Sequence, residues 1–300
     1  MEINKIYNDD CIQGMKKIED NFIATCITDP PYNYEFIGKN WDNEEIERRI
    51  NKVKKGGKTL VTNIPYGSGL AGGVRNENWY RKNRDNIIKY SNWIEEWGKE
   101  LYRIMKPGGL VLVFNSTRTI AQVQVALEKC GFYARDIIVW RRNSGIPKGN
   151  NISKKMEKMG DENFEEWRGW HSCLRNEWEA ICVVQKHLID NYYKTVKLYN
   201  VGLFHAELGE GFQSNILENI TRDKKDEFNN HITVKPLDLV KKLIKLTTPK
   251  LEDNIILDPF MGSGTTAVAA KILGYNYLGF EISKDYTEIC KKRIESMEAN

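Results

Sequence analysis

Short runs of consecutive apolar residues alternate along the chain with stretches whose apolar positions recur every three to four residues. Residues 23–28, 110–114, 134–140, 179–185, 254–257 and 276–280 are apolar runs of strand length, and residues 3–8 alternate as a strand does. Helical spacing covers 11–18, 93–105, 119–129, 237–246, 265–273 and 286–297, with Pro107-Gly108-Gly109, Gly131 and Gly274 as stops. Strand, helix, strand with short connections forms a right-handed parallel unit. The pattern therefore predicts an α/β fold built on a mostly parallel sheet. The 179–185 run, a near neighbour in sequence of 134–140, is expected as one antiparallel strand at the sheet edge.

Three stretches break the alternation. Residues 33–90 are polar and glycine-rich and read as an insertion over the active face, while 141–178 and 187–230 are irregular. Loops of such length in a compact domain are usually functional or disordered. The expected catalytic domain is then 1–32, 91–140, 179–186 and 231–300, with the remaining segments facing a partner. Their charge suggests which partner. Arg75, Arg81, Lys82 and Arg84 stand against Glu77, with Trp79 and Tyr80 among them. Residues 141–160, the most basic stretch, carry Arg141, Arg142, Lys148, Lys154, Lys155 and Lys158 against Glu157. Cations interleaved with rings suit nucleic acid, because phosphates meet the charges and bases stack on the rings. The same residues also suit a solvated loop with half-buried rings.

Composition narrows this only a little. At 300 residues and 41% hydrophobic content the chain can bury a sizeable core. Six cysteines without a CxxC pair and four scattered histidines suggest neither a disulfide framework nor a metal site. No apolar run approaches the roughly 18 residues that span a bilayer, and the first residues lack a basic-then-apolar signal, so a cytoplasmic location without a membrane role is expected. The net charge of +4 is too small to indicate a polyanion partner by itself.

Two loops carry the chemistry. Asp258-Pro259-Phe260-Met261-Gly262-Ser263-Gly264-Thr265-Thr266 closes one strand and opens a helix, and Glu281 ends the next strand 23 residues after Asp258. Glycines let the backbone approach a ligand, the helix N-terminus favours an anion, and an acid so placed can bind both hydroxyls of a ribose. Together they describe a nucleoside site. Asp29-Pro30-Pro31-Tyr32 closes another strand. Asp29 and the Pro30 carbonyl can form two acceptors facing one amino group, while Tyr32 stacks on the ring that bears it. Drawing the hydrogens of an aromatic amine out of plane localises a lone pair that conjugation otherwise delocalises.

These residues resemble the S-adenosylmethionine-dependent DNA amino-methyltransferases, which act on adenine N6 or cytosine N4. The match comprises DPPY at 29–32, DPFMGSGTT at 258–266, NDDC at 8–11, KPGG at 106–109, EAICVVQK at 179–186, HITVKP at 231–236 and GFEIS at 279–283. With the catalytic motif preceding the cofactor motif by more than 200 residues, the chain resembles the circularly permuted beta group. The resemblance implies a Rossmann-like sheet with insertions and S-adenosylmethionine as cofactor. It implies that Asp29, Pro30, Pro31 and Tyr32 engage a flipped-out base. It further implies that Asp258, Phe260, Gly262, Ser263, Gly264 and Thr265 form the cofactor loop, that Glu281 holds the ribose and Asp10 the adenine, and that Thr233 with Lys235 holds the methionine carboxylate. Double-stranded DNA is the implied partner, with a homodimer and a cognate restriction endonuclease as further candidates. Adenine N6 is favoured because DPPY is commoner with adenine; cytosine N4, an RNA substrate and a catalytically silent DNA-binding subunit are the alternatives. Asp9 stands where the family commonly has glycine, and HITVKP replaces the commoner HPTQKP.

Overall fold

The computed structural model describes residues 1–32, 77–142, 149–209, 211–220 and 234–296. Arg75, Lys148, Thr233, the 33–76 segment of the expected insertion and the side chains of Trp79, Tyr80 and Lys82 lie outside the described residues. The chain divides into two compact units, one formed by 1–37, 86–141 and 179–300, the other by 38–85 and 142–178.

The first unit is built on a sheet. In chain order its elements are β1 (Lys5–Tyr7), α1 (Cys11–Met15), β2 (Ile23–Thr28), α2 (Glu77–Ile104, which begins in the second unit), β3 (Met105–Asn115), α3 (Ile120–Lys129) and β4 (Tyr133–Arg141). After α4 (Ile152–Lys158) of the second unit come β5 (Trp178–Gln185), α5 (Tyr192–Tyr199), β6 (Ile216–Leu217), α6 (Leu237–Thr247), β7 (Ile255–Asp258), α7 (Thr265–Leu273), β8 (Asn276–Phe280) and α8 (Lys284–Glu295). Among the described residues the strands pair in the order β1-β8-β7-β2-β3-β5-β4-β6. The pairs β1–β8, β8–β7, β7–β2 and β2–β3 are parallel, and β5 runs antiparallel to β3.

Alternation along the strands explains the layers. Val111 and Val113 of β3 join one core with Tyr90, Ile94, Trp97, Leu101 and Ile104 of α2, whereas Leu110, Leu112 and Phe114 join a second core with α6 and α7 on the other face. The α2 residues recur at spacings of four and three, so one stripe faces the sheet. All five are fully buried. Each is worth about 1.5–3 kcal/mol over leaving it in water, an upper bound because a denatured chain already hides part of that surface.

This order sets where ligands go. From β2 the chain leads to β3 on one side, and from β7 to β8 on the other, so the connections from the adjacent strands β2 and β7 diverge. Open α/β sheets bind ligands at such a divergence, beyond the carboxyl ends of the strands. Asp29 follows β2 and Asp258 ends β7 at this point.

Several local expectations are corrected. The antiparallel strand is not at the edge: β5 lies between β3 and β4, and Ala180–Gln185 are all buried, as an apolar run covered on both faces requires. Helix α2 starts at Glu77 rather than near residue 93, because its first three turns are polar and show no apolar stripe until Tyr90. Lys106-Pro107-Gly108-Gly109 does not separate that helix from its strand. It is a bulge inside β3, where pairing jumps from Ile23↔Met105 to Thr25↔Leu110. The 141–160 stretch is not irregular throughout, since Asn151 caps α4 by accepting from the Lys154 N–H. Nor is 187–230: Asn191 caps α5, and β6 pairs in parallel with β4.

Candidate active site

The glycine loop is held from three directions. Asp258 ends β7 buried, and its Oδ1 accepts from the Thr28 hydroxyl at 2.7 Å and the Phe260 N–H at 3.1 Å, while Oδ2 accepts from the Thr266 hydroxyl at 2.7 Å. Burial pushes this carboxyl up to about 6, against those three hydrogen bonds. Asp258 is thus a brace tying β2, the loop and α7 together. Phe260 packs against Trp93 and Trp97 of α2, with ring centroids 5.4 and 5.6 Å away. Arg293 of α8, itself buried, donates to the Ser263 carbonyl at 3.2 Å and the Thr265 hydroxyl at 3.0 Å.

Gly264 and Gly262 have different reasons to be glycine. Gly264 caps α7 with φ of +87°, and a Cβ there would run into the Cys290 sulfur. Gly262 also has positive φ, +54°, but a Cβ there would meet only the Phe260 carbonyl oxygen, 4.0 Å away. Its amide donates to Glu281 Oε2 at 2.7 Å, and the Ser283 amide donates to Oε1 at 2.8 Å. Burial raises the Glu281 carboxyl despite these amides. Each of its oxygens retains a lone pair for a hydroxyl. Asp10 caps α1 through Oδ1, which accepts from the Ile12 and Gln13 N–H groups at 3.0 and 3.1 Å. Open space at Gly262, an acid with spare acceptors on each side and the N-terminus of α7 fit a nucleoside joined to an anionic group.

On the other side of the divergence, Asp29, Pro30, Pro31 and Tyr32 leave β2 together with Pro30 buried. Lys235, just before α6, donates to Asp29 Oδ2 at 2.7 Å and Glu179 Oε1 at 2.8 Å, and its Nζ is 3.2 Å from the Tyr32 hydroxyl. That hydroxyl donates to Glu179 Oε1. The Lys235 ammonium also lies 5.1 Å from the Phe114 ring centroid and 5.4 Å from that of Tyr32. Burial pushes Lys235 down, but Asp29 and Glu179 outweigh it and hold the ammonium above its ordinary value. Burial pushes Asp29 up, Lys235 opposes, and Glu179 adds to the rise. Asp29 Oδ1 is buried and accepts no hydrogen bond among the described residues.

Sequence reasoning missed Glu179 and Arg293, and placed Lys235 toward the cofactor carboxylate, whereas here its ammonium lies on Asp29. The signal for Glu179 is an acid opening an apolar run. Because β5 runs antiparallel, its first residues reach the edge where the parallel strands end. The structure does not gather all the basic candidates. Arg81, Arg84, Lys154 and Lys155 are exposed and Arg142 is half-buried, all within the second unit. Arg141 belongs to the first unit, where it pairs with Glu218 at 2.8 Å.

The DNA methylase family model, N6_N4_Mtase, matches residues 23–292. The type II methyltransferase M.HindIII of Haemophilus influenzae is 31% identical, over 97% of this chain and 95% of its own length. M.HinfI, also a type II methyltransferase of Haemophilus influenzae, is 27% identical over 99% of this chain and 70% of its own length. Among solved structures, the M1.HpyAVI–SAM complex aligns over 96% of this chain and 98% of its own, with a TM-score of 0.56 and 23% identity. The cytosine-N4-specific PvuII DNA methyltransferase aligns over 96% of this chain and 85% of its own, with a TM-score of 0.58 and 13% identity, a likeness of fold.

Proposed function

This chain belongs to the N6/N4 DNA methylase family, whose cofactor is S-adenosylmethionine, and from that premise we propose that it methylates the exocyclic N6 amino group of adenine in double-stranded DNA. The observation that carries the reading is the buried Asp29 Oδ1, which accepts no hydrogen bond among the described residues, beside Tyr32 at the divergence of β2 and β7.

Bound S-adenosylmethionine supplies a methyl group made electrophilic by its sulfonium. The residues that hold it are Glu281 at the ribose, Asp10 at the adenine end, and the loop from Phe260 to Thr265 with the α7 N-terminus behind it. The target base leaves the helix stack at a cost of a few kcal/mol, because its amino group is otherwise paired. Tyr32 stacks on the extruded ring, which offsets part of that cost. Asp29 Oδ1 and the Pro30 carbonyl accept the two amino hydrogens and turn the nitrogen lone pair toward the methyl group. The nitrogen–methyl bond forms as the methyl–sulfur bond breaks, S-adenosylhomocysteine leaves as a neutral thioether, and the extra proton on nitrogen goes to solvent. Alignment supplies most of the rate.

The second unit, with exposed Arg81, Arg84, Lys154 and Lys155, supplies DNA contacts and target recognition in this reading. The relatives are type II methyltransferases, which supports a role beside a restriction endonuclease that cuts the same site.

The test is to incubate the protein with unmethylated genomic DNA and S-adenosylmethionine, digest to nucleosides and identify modified bases by mass spectrometry. N6-methyladenine is expected, and its loss in Asp29→Ala places the reaction at this site. N4-methylcytosine in its place overturns the choice of base, and methylation of RNA but not duplex DNA overturns the substrate.

A further inference from the structure

Glu179 is an acid at the mouth of an otherwise buried strand, and such a carboxylate is costly unless it is paired. Its side chain is only 13% exposed and that of Lys235 only 10%. One ammonium serves two carboxylates here, donating to Asp29 Oδ2 and to Glu179 Oε1, while Glu179 also receives the Tyr32 hydroxyl. The two oxygens of Asp29 therefore differ. Oδ2 is neutralised, and Oδ1 is dry and accepts no hydrogen bond among the described residues.

We propose that Glu179 and Lys235 form a charge clamp that occupies one oxygen of Asp29, keeps the other open to the amino group of the target base, and fixes the Tyr32 hydroxyl. Glu179 is a positioning residue in this arrangement, acting through Asp29 and Tyr32. The clamp deepens the methyl-transfer reading and rests on it for its purpose.

The chemistry asks for such a device. Conjugation holds the hydrogens of an aromatic amine in the ring plane, so an acceptor that is to draw them out must be ionised and aimed. Asp29 is half-buried, with Oδ1 buried, and desolvation alone favours its neutral form. Among the described residues four groups face it: Lys235 ahead of α6, Glu179 at the start of β5, Tyr32 after β2 and Asp258 at the end of β7. Lys235 favours the ionised form. Glu179 and Asp258 oppose it, but Glu179 also holds the ammonium in place. A site with Lys235 alone would leave that ammonium one carboxylate to satisfy and remove the Glu179 acceptor of the Tyr32 hydroxyl.

The two partners therefore have opposite electrostatic signs at one carboxyl group, and the experiment exploits this. Carboxyl carbons of the cofactor-free, full-length protein are titrated by NMR, with the Asp29 resonance assigned by its absence in D29N. E179Q, nearly isosteric, is expected to move the Asp29 midpoint down by about one pH unit, and K235M to move it up by at least as much. E179A is expected to lower kcat for methyl transfer by about tenfold while leaving the cofactor KM unchanged, since Tyr32 loses its anchor. An Asp29 midpoint that is the same in wild type and E179Q overturns the clamp. A D29N variant that still transfers methyl overturns the catalytic reading instead, and leaves the titration result standing.

Discussion

Replacing Gly264 with alanine tests how the cofactor loop is held. Two costs arise at one atom. The backbone at φ of +87° is left-handed, which costs a residue with a Cβ about 1–2 kcal/mol. The new methyl also meets the buried Cys290 sulfur and stands 3.1 Å from the Cys290 Cβ, and overpacking of this kind costs about 1–3 kcal/mol. Gly264→Ala should therefore lose roughly 2–5 kcal/mol in urea unfolding, or shift the α7 N-terminus and weaken cofactor binding instead. The costs separate in a double-mutant cycle. In a Cys290→Ala background the sulfur is gone but the close Cβ remains, so about 1–2 kcal/mol should be recovered and the backbone term should persist. Gly262→Ala is the control: with open space around it, only the backbone term of about 1–2 kcal/mol applies. If Gly264→Ala costs the same with and without the Cys290 sulfur, or no more than Gly262→Ala, the packing argument is refuted.

Asp258 makes stability fall with pH. Its carboxyl, at about 6 when folded against 3.8 as the reference, holds its proton longer in the fold than in the unfolded chain. The contribution of Asp258 to stability is then fully present below pH 4 and is lost as pH rises through 6, on the order of 3 kcal/mol. Urea midpoints should show wild type losing ground to Asp258→Asn across that window, and parallel curves would refute the assignment. Arg293→Met leaves the Ser263 carbonyl and the Thr265 hydroxyl without their donor, so about 1–3 kcal/mol of stability should go. Calorimetry should show cofactor affinity falling with it, and an unchanged affinity would show that α8 does not hold the loop. Asp10→Ala should lose about 1 kcal/mol with the cap of α1. Asp10→Ser should restore that stability without restoring cofactor affinity, if the carboxylate serves the adenine as well as the helix.

The middle of the sheet was legible because β2, β3, β7 and most of β5 are buried on both faces and cannot be mistaken for surface. The two ligand loops were legible because proline and glycine mark them locally. What lay hidden depends on direction and distance. Nothing near Lys235 shows that it will meet Asp29, 206 residues earlier. Glu179 reaches the site only because β5 runs against β3, and its place inside the sheet follows from β4 and β6 pairing beyond it rather than from its own residues. Helix α4 is seven residues of mostly polar sequence, and β6 is two residues long, so neither carries a readable period.

The pairing of β2 with β7 has a consequence in time. Thr25 and Cys26 align with Ile256 and Leu257, some 230 residues later, and β1 aligns with β8. At about 5–20 residues per second on the ribosome, β2 waits roughly 10–50 s for this neighbour. The centre of the sheet is thus among the last pairings a growing chain can complete, and contacts of such long range slow folding further. A chain released before β8 has the brace at Asp258 but lacks the acid at Glu281 and the Arg293 guanidinium that holds the loop. The order of the motifs thus keeps the glycine loop apart from the Glu281 carboxylate it hydrogen-bonds until β8 has been made.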